Sequence, residues 1–236
     1  MENELEDDTL NYNIDEWKHV FKLDPAREIS DEKLEQICHS DTDAIIVGGT
    51  DGVTFDAVLE LLSRVRRYAI PCVLEISELE AMTPGYDYYF IPMVLNSTDK
   101  KWMMDLQHQA IKEYKTMINW DETLMEGYCI LNPDAKAYQK TKCSLPSEAD
   151  VISYAFMAEH IFKLPIFYME YSGTYGNPLL VEKVKQELQT TKLFYGGGIT
   201  TTEQAIEMSQ FADVIVVGNS IYTDFKQALK TVQAVK

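Results

Sequence analysis

Apolar, β-rich runs alternate with amphipathic runs along almost the whole of this 236-residue chain, and that alternation limits the fold more than any single motif. A strand, a helix and a second strand in succession require a parallel sheet, because the crossover returns the chain to the same end of the sheet. The pattern predicts strands at 19–23, 44–47, 72–76, 88–95, 127–131, 166–171, 193–195 and 214–217. Between them it predicts helices at 30–39, with Ser30 as N-cap, and at 54–67, 103–117, 147–162, 179–188, 202–210 and 224–232. Eight βα units in a chain near the roughly 250 residues typical of such a barrel point to an α/β fold, a single (β/α)₈ TIM barrel. An open doubly wound sheet is the competitor. Only about a dozen residues, Pro84 and Gly85 among them, separate the third and fourth strands. A crossover helix hardly fits there, so the third helix should be degenerate. Residues 1–12 read as an acidic tail and 13–236 as the barrel domain.

The formal net charge of −17 repels phosphate backbones and argues against nucleic-acid binding. It also argues against electrostatic adhesion to an anionic membrane, so that any membrane contact is expected to be transient, while a divalent cation would be welcome. Cys38, Cys72, Cys129 and Cys143 form no CxxC pair, so reduced thiols are expected rather than a zinc site or disulfide framework. The N-terminus MENELEDDTL has no apolar core of a secretory signal, and no run reaches the length of a membrane span. A cytoplasmic location is the expectation.

In a barrel of this kind the reactive groups lie at the C-terminal strand ends. Those ends read FKLDP, VGGTDG, YMEYSGTYG, YGGGIT and VVGNSIY. YGGGIT and VVGNS end the seventh and eighth strands, where barrels of this fold often bind phosphate. Gly196, Gly197 and Gly198, with Gly218 and Asn219, let the backbone approach an oxyanion and present N–H groups to it; the blander reading is a pair of tight turns. Neither GxxxxGK[ST] nor GxGxxG is present. Tyr168 and Glu170 share one face of the sixth strand by period two. An inward carboxylate is costly unless used or paired, so Glu170 is a candidate general base or hydroxyl ligand, or else the partner of a buried lysine such as Lys22. Lys22 and Asp24 share a face at the first strand end, a point charge for phosphate beside a carboxylate suited to Mg²⁺. Thr50 offers a hydroxyl on the same rim, and Glu75 is a further inward acid. The four histidines form no ligand spacing, and Arg64, Arg66 and Arg67 read as a solvated helix end. Tyr86, Tyr88, Tyr89 and Phe90 read as core, or as the wall of an apolar groove.

Taken together, FKLDP, IIVGGTDG, VLEIS, PMVLNS, EGYCILNPDAK, FYMEYSGTYG, LFYGGGI and VIVVGNSIY resemble the bacterial PcrB family, the heptaprenylglyceryl phosphate synthases, relatives of the archaeal geranylgeranylglyceryl phosphate synthases. The resemblance runs from about Trp17 to Leu229. It implies a barrel with a degenerate third helix that joins a polyprenyl diphosphate to the 3-hydroxyl of sn-glycerol 1-phosphate with Mg²⁺, releasing diphosphate. It implies that Lys22 contacts glycerol phosphate, that Asp24 and Thr50 hold Mg²⁺, and that Tyr168, Met169, Glu170, Tyr171, Ser172 and Gly173 line the glycerol phosphate. Gly198, Gly218 and Asn219 would hold its phosphate, with Glu170 and Tyr168 as the catalytic pair. The resemblance also implies a homodimer, and a groove whose length is set on the helix at 103–117, where Ala110 would leave it open to a long donor. Two other classes compete: a phosphosugar isomerase or lyase, which needs no long apolar groove, and a non-catalytic interaction barrel, which needs no Lys22, Asp24 or Glu170.

Overall fold

The computed structural model describes residues 13–236; the expected acidic tail, residues 1–12, lies outside the described residues. Eight parallel strands close into a barrel in sequence order: β1 (His19–Leu23), β2 (Ala44–Val47), β3 (Cys72–Glu75), β4 (Tyr88–Val94), β5 (Thr123–Ile130), β6 (Ile166–Glu170), β7 (Lys192–Gly196) and β8 (Val214–Val217). β8 pairs with β1 through His19, Val20 and Phe21, and that closure rules out the open sheet. Around the barrel lie α1 (Asp31–Cys38), α2 (Phe55–Val65), α3 (Asp105–Tyr114), α4 (Lys136–Lys140), α5 (Glu148–Met157), α6 (Pro178–Gln186), α7 (Thr202–Ser209), α8 (Ser220–Thr223) and α9 (Phe225–Val235).

Six of the nine described α-helices start where a side chain satisfies one of their first free N–H groups. Ser30 accepts from Lys33 N and Thr54 from Ala57 N, while Ser147 and Thr201 complete capping boxes with Asp150 and Gln204. Pro178 opens α6, where its missing N–H costs nothing.

Period two sorts the core into two clusters. Val20, Ile46, Phe90, Phe194 and Val214 point into the barrel. Phe21, Ile45, Leu74, Phe167 and Tyr195 point outward under the helices. Trp17 closes the N-terminal end, its ring centroid 6.0 Å from Tyr88. His19 is buried between the hydroxyls of Thr42 and Thr231, each 2.9 Å away. Burial lowers its pKa to about 3, with Asp43 opposing, so it serves the fold as a neutral ring. Arg64 and Arg66 are tied down rather than simply solvated: Arg64 bonds Asp31 and the Ile29 carbonyl, and Arg66 bonds the Gly85 carbonyl. All four cysteines are free thiols.

Between β3 and β4 the chain makes only the 3₁₀ turn Leu79–Ala81, the degenerate third helix expected from the short connection. Three details differ from the expected elements. β5 begins at Thr123 rather than 127, because residues 123–126 pair with Tyr89–Pro92 of β4 despite weak strand propensity. The helix expected to run to 162 is α-helical only to Met157; it widens into a π turn, Ala158–Phe162, and stops at Lys163 with φ 54°. The short helices α4 and α8, following β5 and β8, were not legible as periodic runs.

Candidate active site

The C-terminal ends of the strands surround a cavity of 380 Å³. β1 brings Lys22 and Asp24 to it, and the loop after β2 brings Thr50. β6 and its loop bring Tyr168, Glu170, Ser172 and Gly173. Gly198 after β7, and Gly218 and Asn219 after β8, complete the far wall. Met169 and Tyr171 do not face it. Met169 is fully buried outside the barrel, and Tyr171 packs there against Tyr195 with ring centroids 5.9 Å apart. Strand alternation, which places Tyr168 and Glu170 inward, sends their odd-numbered neighbours to the other face.

Lys22 is the electrostatic centre of the site. Its Nζ donates to both oxygens of Glu75 at 2.7 Å and to the Tyr128 hydroxyl at 3.1 Å. Burial favours the neutral amine, yet Glu75, with Glu170 and Glu126, outweighs it and raises the Lys22 pKa. The ion pair considered between Lys22 and Glu170 is therefore made with Glu75 instead. Glu170 takes two donations on Oε1, from Ser172 N at 2.6 Å and Ser172 Oγ at 2.7 Å. Burial nevertheless lifts its pKa above the usual carboxylate range, against the pull of Lys22 and Ser172. That is the direction a general base needs in order to hold a proton near neutral pH. The rings of Tyr128 and Tyr168 stack with centroids 4.4 Å apart, and Lys22 Nζ lies about 5.5 Å from each. Burial, and then the surrounding carboxylates, push both phenols well above their ordinary pKa.

Two glycines decide how closely the walls approach. Gly198 has φ +56°, and a side chain there would run into the backbone of Thr174 and Tyr175. A Cβ on Gly49 would stand 2.5 Å from Asp24 Oδ1, so only glycine lets that carboxylate reach the rim. Asp24 and Thr50 offer hard oxygens, the donor type Mg²⁺ prefers. Among the described residues no group of three or more His, Cys, Asp or Glu side chains gathers as a metal cage. The arrangement suits a cation held by one carboxylate and completed by substrate oxygens and water.

Several site residues were not singled out from the sequence. Arg27 donates to Asn219 Oδ1 at 3.1 Å and lies 3.6 Å over the Tyr222 ring, adding a cation to the glycine-rich wall. Tyr128 and Glu126 sit on the inward face of β5. Glu126 is fully buried with neither carboxylate oxygen bonded by a described residue. Burial, reinforced by Glu75, raises its pKa well above that of a free carboxylate. Lys140 of α4 bonds the Thr50 carbonyl and Glu78 Oε1, each at 2.6 Å.

A second cavity, of 810 Å³, lies outside the barrel between β3, β4 and α3. Leu79, Tyr86, Tyr89, Ile91, Leu106 and Ala110 are among its walls. It occupies the side where the third helix is missing, and it shares Gly49, Thr50, Glu75, Tyr128 and Ala137 with the polar cavity. Of the aromatic group at 86–90, Tyr86 and Tyr89 thus form groove wall, while Phe90 is barrel core.

A family model described as the PcrB family matches residues 12–236, nearly the whole chain. The chain belongs to the PcrB family. A PcrB relative from Oceanobacillus iheyensis, named heptaprenylglyceryl phosphate synthase, is 65% identical over 225 residues, covering 95% of this chain and 98% of the relative. One of the same name from a Geobacillus species is 62% identical over 226 residues, covering 95% and 99%. Among solved structures, this chain is similar to (S)-3-O-geranylgeranylglyceryl phosphate synthase from Thermoplasma acidophilum in complex with substrate sn-glycerol-1-phosphate. The TM-score is 0.83 at 26% identity, with 93% of each chain covered. The tryptophan synthase alpha subunit of Legionella pneumophila, at 14% identity and TM-score 0.52, shares the fold alone.

Proposed function

We propose that this chain is a prenyltransferase that joins a long polyprenyl diphosphate, heptaprenyl by preference, to the 3-hydroxyl of sn-glycerol 1-phosphate. The observation that carries this reading is the meeting of the two cavities at Gly49, Thr50, Glu75 and Tyr128. A polar chamber sized for a glycerol phosphate opens directly into an apolar groove. A phosphosugar isomerase has no use for that groove, and a non-catalytic barrel has no use for the buried charges beneath the chamber.

In this reading the backbone around Gly198, Gly218 and Asn219, with Arg27 and Lys22, receives the phosphate. Fixing the phosphate at one wall aims the glycerol hydroxyl at the junction of the cavities, a positioning effect. Asp24 and Thr50 would hold Mg²⁺, which when bound neutralises the diphosphate leaving group. The bond between the allylic C1 and the diphosphate oxygen breaks, and C1 gains carbocation character. The glycerol oxygen forms the new C–O bond, and Glu170 accepts its proton with Tyr168 beside it. The proposed active unit is a homodimer, as the family resemblance implies.

The test is an assay with labelled sn-glycerol 1-phosphate and prenyl diphosphates of four and seven isoprene units. Transfer with Mg²⁺, faster in kcat/KM for the seven-unit donor, is expected. Absence of any labelled prenyl glyceryl phosphate would overturn the reading.

A further inference from the structure

Helix α3 differs from the other helices of its length. Every other described helix of eight or more residues buries at least two side chains; α3 buries none. One face, with Leu106, Ala110 and Tyr114, lines the 810 Å³ groove instead of packing on the barrel. By helical period the adjoining stripe carries Met104, His108, Ile111 and Lys115. Met104 is 55% exposed and Ile111 44%. Just beyond the helix Met117 is 77% exposed and Trp120 55%, and Met117 also lines the groove. The apolar lip of the groove therefore continues onto the surface without a break.

The charge here runs against the rest of the chain. Residues 100–120 hold four lysines and two acids, in a protein of net charge −17, and Asp99, Asp121 and Glu122 bound this stretch. Lys100 is paired with Asp105 at 3.0 Å, and Lys101 lies 4.9 Å from the Trp102 ring. Lys112 and Lys115 are exposed and form no ion pair with a described residue. Exposed methionine, isoleucine and tryptophan flanked by lysines are what a helix lying in a bilayer interface presents. The global charge does not prevent this, since fields are screened over about 8 Å at physiological ionic strength.

We propose that α3 and the turn through Trp120 form a docking surface for an anionic lipid bilayer. The surface presses the groove's lip against the membrane, so that a long polyprenyl chain slides between bilayer and groove without crossing water. The delivery role rests on the prenyltransferase reading; the docking itself does not.

Sedimentation of the full chain with phosphatidylglycerol-containing vesicles, against vesicles of phosphatidylcholine alone and without any prenyl substrate, tests it. Partition into the anionic vesicles should be stronger and should fall as salt rises. Lys112→Gln with Lys115→Gln should weaken it by about thirtyfold, since each lysine near such a surface contributes about 1 kcal/mol. Ile111→Ser should weaken partition on both vesicle types. Turnover of detergent-dispersed donor should be unchanged in these variants, which shows that α3 remains folded. Equal partition of wild type and variants, or no preference for anionic vesicles, would overturn the proposal. So would a shift from oligomer to monomer in the variants by light scattering, which would mean that a second copy covers this face. A chain that binds vesicles but transfers no prenyl group sinks only the enzymatic reading.

Discussion

Lys22 Nζ sits 2.7 Å from both oxygens of Glu75, the two residues reaching towards each other past β2 from its neighbours β1 and β3. Around this pair stand Glu126 and Glu170, so the interior holds one lysine among three carboxylates. Removing the lysine leaves Glu75 buried without its counter-charge. Lys22→Met should destabilise the protein by about 3–5 kcal/mol, the cost of breaking a buried pair from one side. Lys22→Met combined with Glu75→Gln should recover part of that loss. Urea unfolding of the single and double variants measures it; strictly additive losses would show that the two do not support each other.

Glu126 should make stability depend on pH. Burial raises its folded pKa, so the folded protein keeps a proton that the unfolded chain releases. Its contribution is complete below the unfolded value near 4.5 and is lost as pH rises towards the raised folded value. Across that window each pH unit costs about 1.4 kcal/mol. Glu126→Gln cannot release a proton. Its unfolding midpoint should match wild type near pH 5 and exceed it at pH 8, as calorimetry would show. Parallel stability curves would mean that Glu126 is ionised in the fold.

Glu170→Gln should lower kcat by about 10²- to 10⁴-fold, the usual worth of a positioned base. Its amide oxygen can still accept from Ser172, so the fold should survive. In the wild type the base must be ionised, and burial raises its pKa. Activity should therefore climb with pH along a limb lying above the ordinary glutamate range, and that limb should vanish in the variant. A residual activity with an unchanged acid limb would assign the base elsewhere.

For Asp24, the relevant change is to asparagine. Asp24 Oδ1 accepts from Ala26 N at 2.9 Å, a turn bond that an amide oxygen reproduces. Asp24→Asn should leave the melting temperature within a few degrees while abolishing Mg²⁺-dependent turnover. Wild-type kcat at saturating Mg²⁺ would remove Asp24 from the metal site.

Ala110 lines the groove from α3, and its methyl group leaves the passage open. Each isoprene unit accommodated there buries apolar area at roughly 25 cal/mol per Å². Ala110→Trp should block the passage and shift the kcat/KM preference from the seven-unit towards the four-unit donor. An unchanged ratio would show that donor length is read elsewhere.

The barrel was legible because strands covered on both faces are near-continuous apolar runs, and AIIV, CVLE and VIVV stand out between capped helices. Period two put Lys22 with Asp24, and Tyr168 with Glu170, on one face of their strands, and the rim position of the strand ends made that face the inward one. The same rule, applied strictly, would have turned Met169 and Tyr171 outward; treating YMEYSG as one contact string hid that. Glu126 was missed because TLME carries no strand signal, and only its pairing with β4 makes it one. Arg27 and Lys140 reach the site from a loop and a five-residue helix, where local sequence does not say which way a side chain will fold back. In the residues themselves the groove showed as a shortage of residues between β3 and β4 and as the aromatic run at 86–90, which read equally well as core; the resemblance implied the rest.

That shortage has a thermodynamic side. In a complete barrel the outward side chains of β3 and β4 are covered by a helix that never leaves. Here Tyr89 and Ile91 face a space that a hydrocarbon chain can fill. In the proposed reaction the donor's tail would complete the outer layer of the barrel, so that substrate would double as a removable structural element. Each catalytic cycle would then assemble one wall of the protein and, on product release, take it apart again.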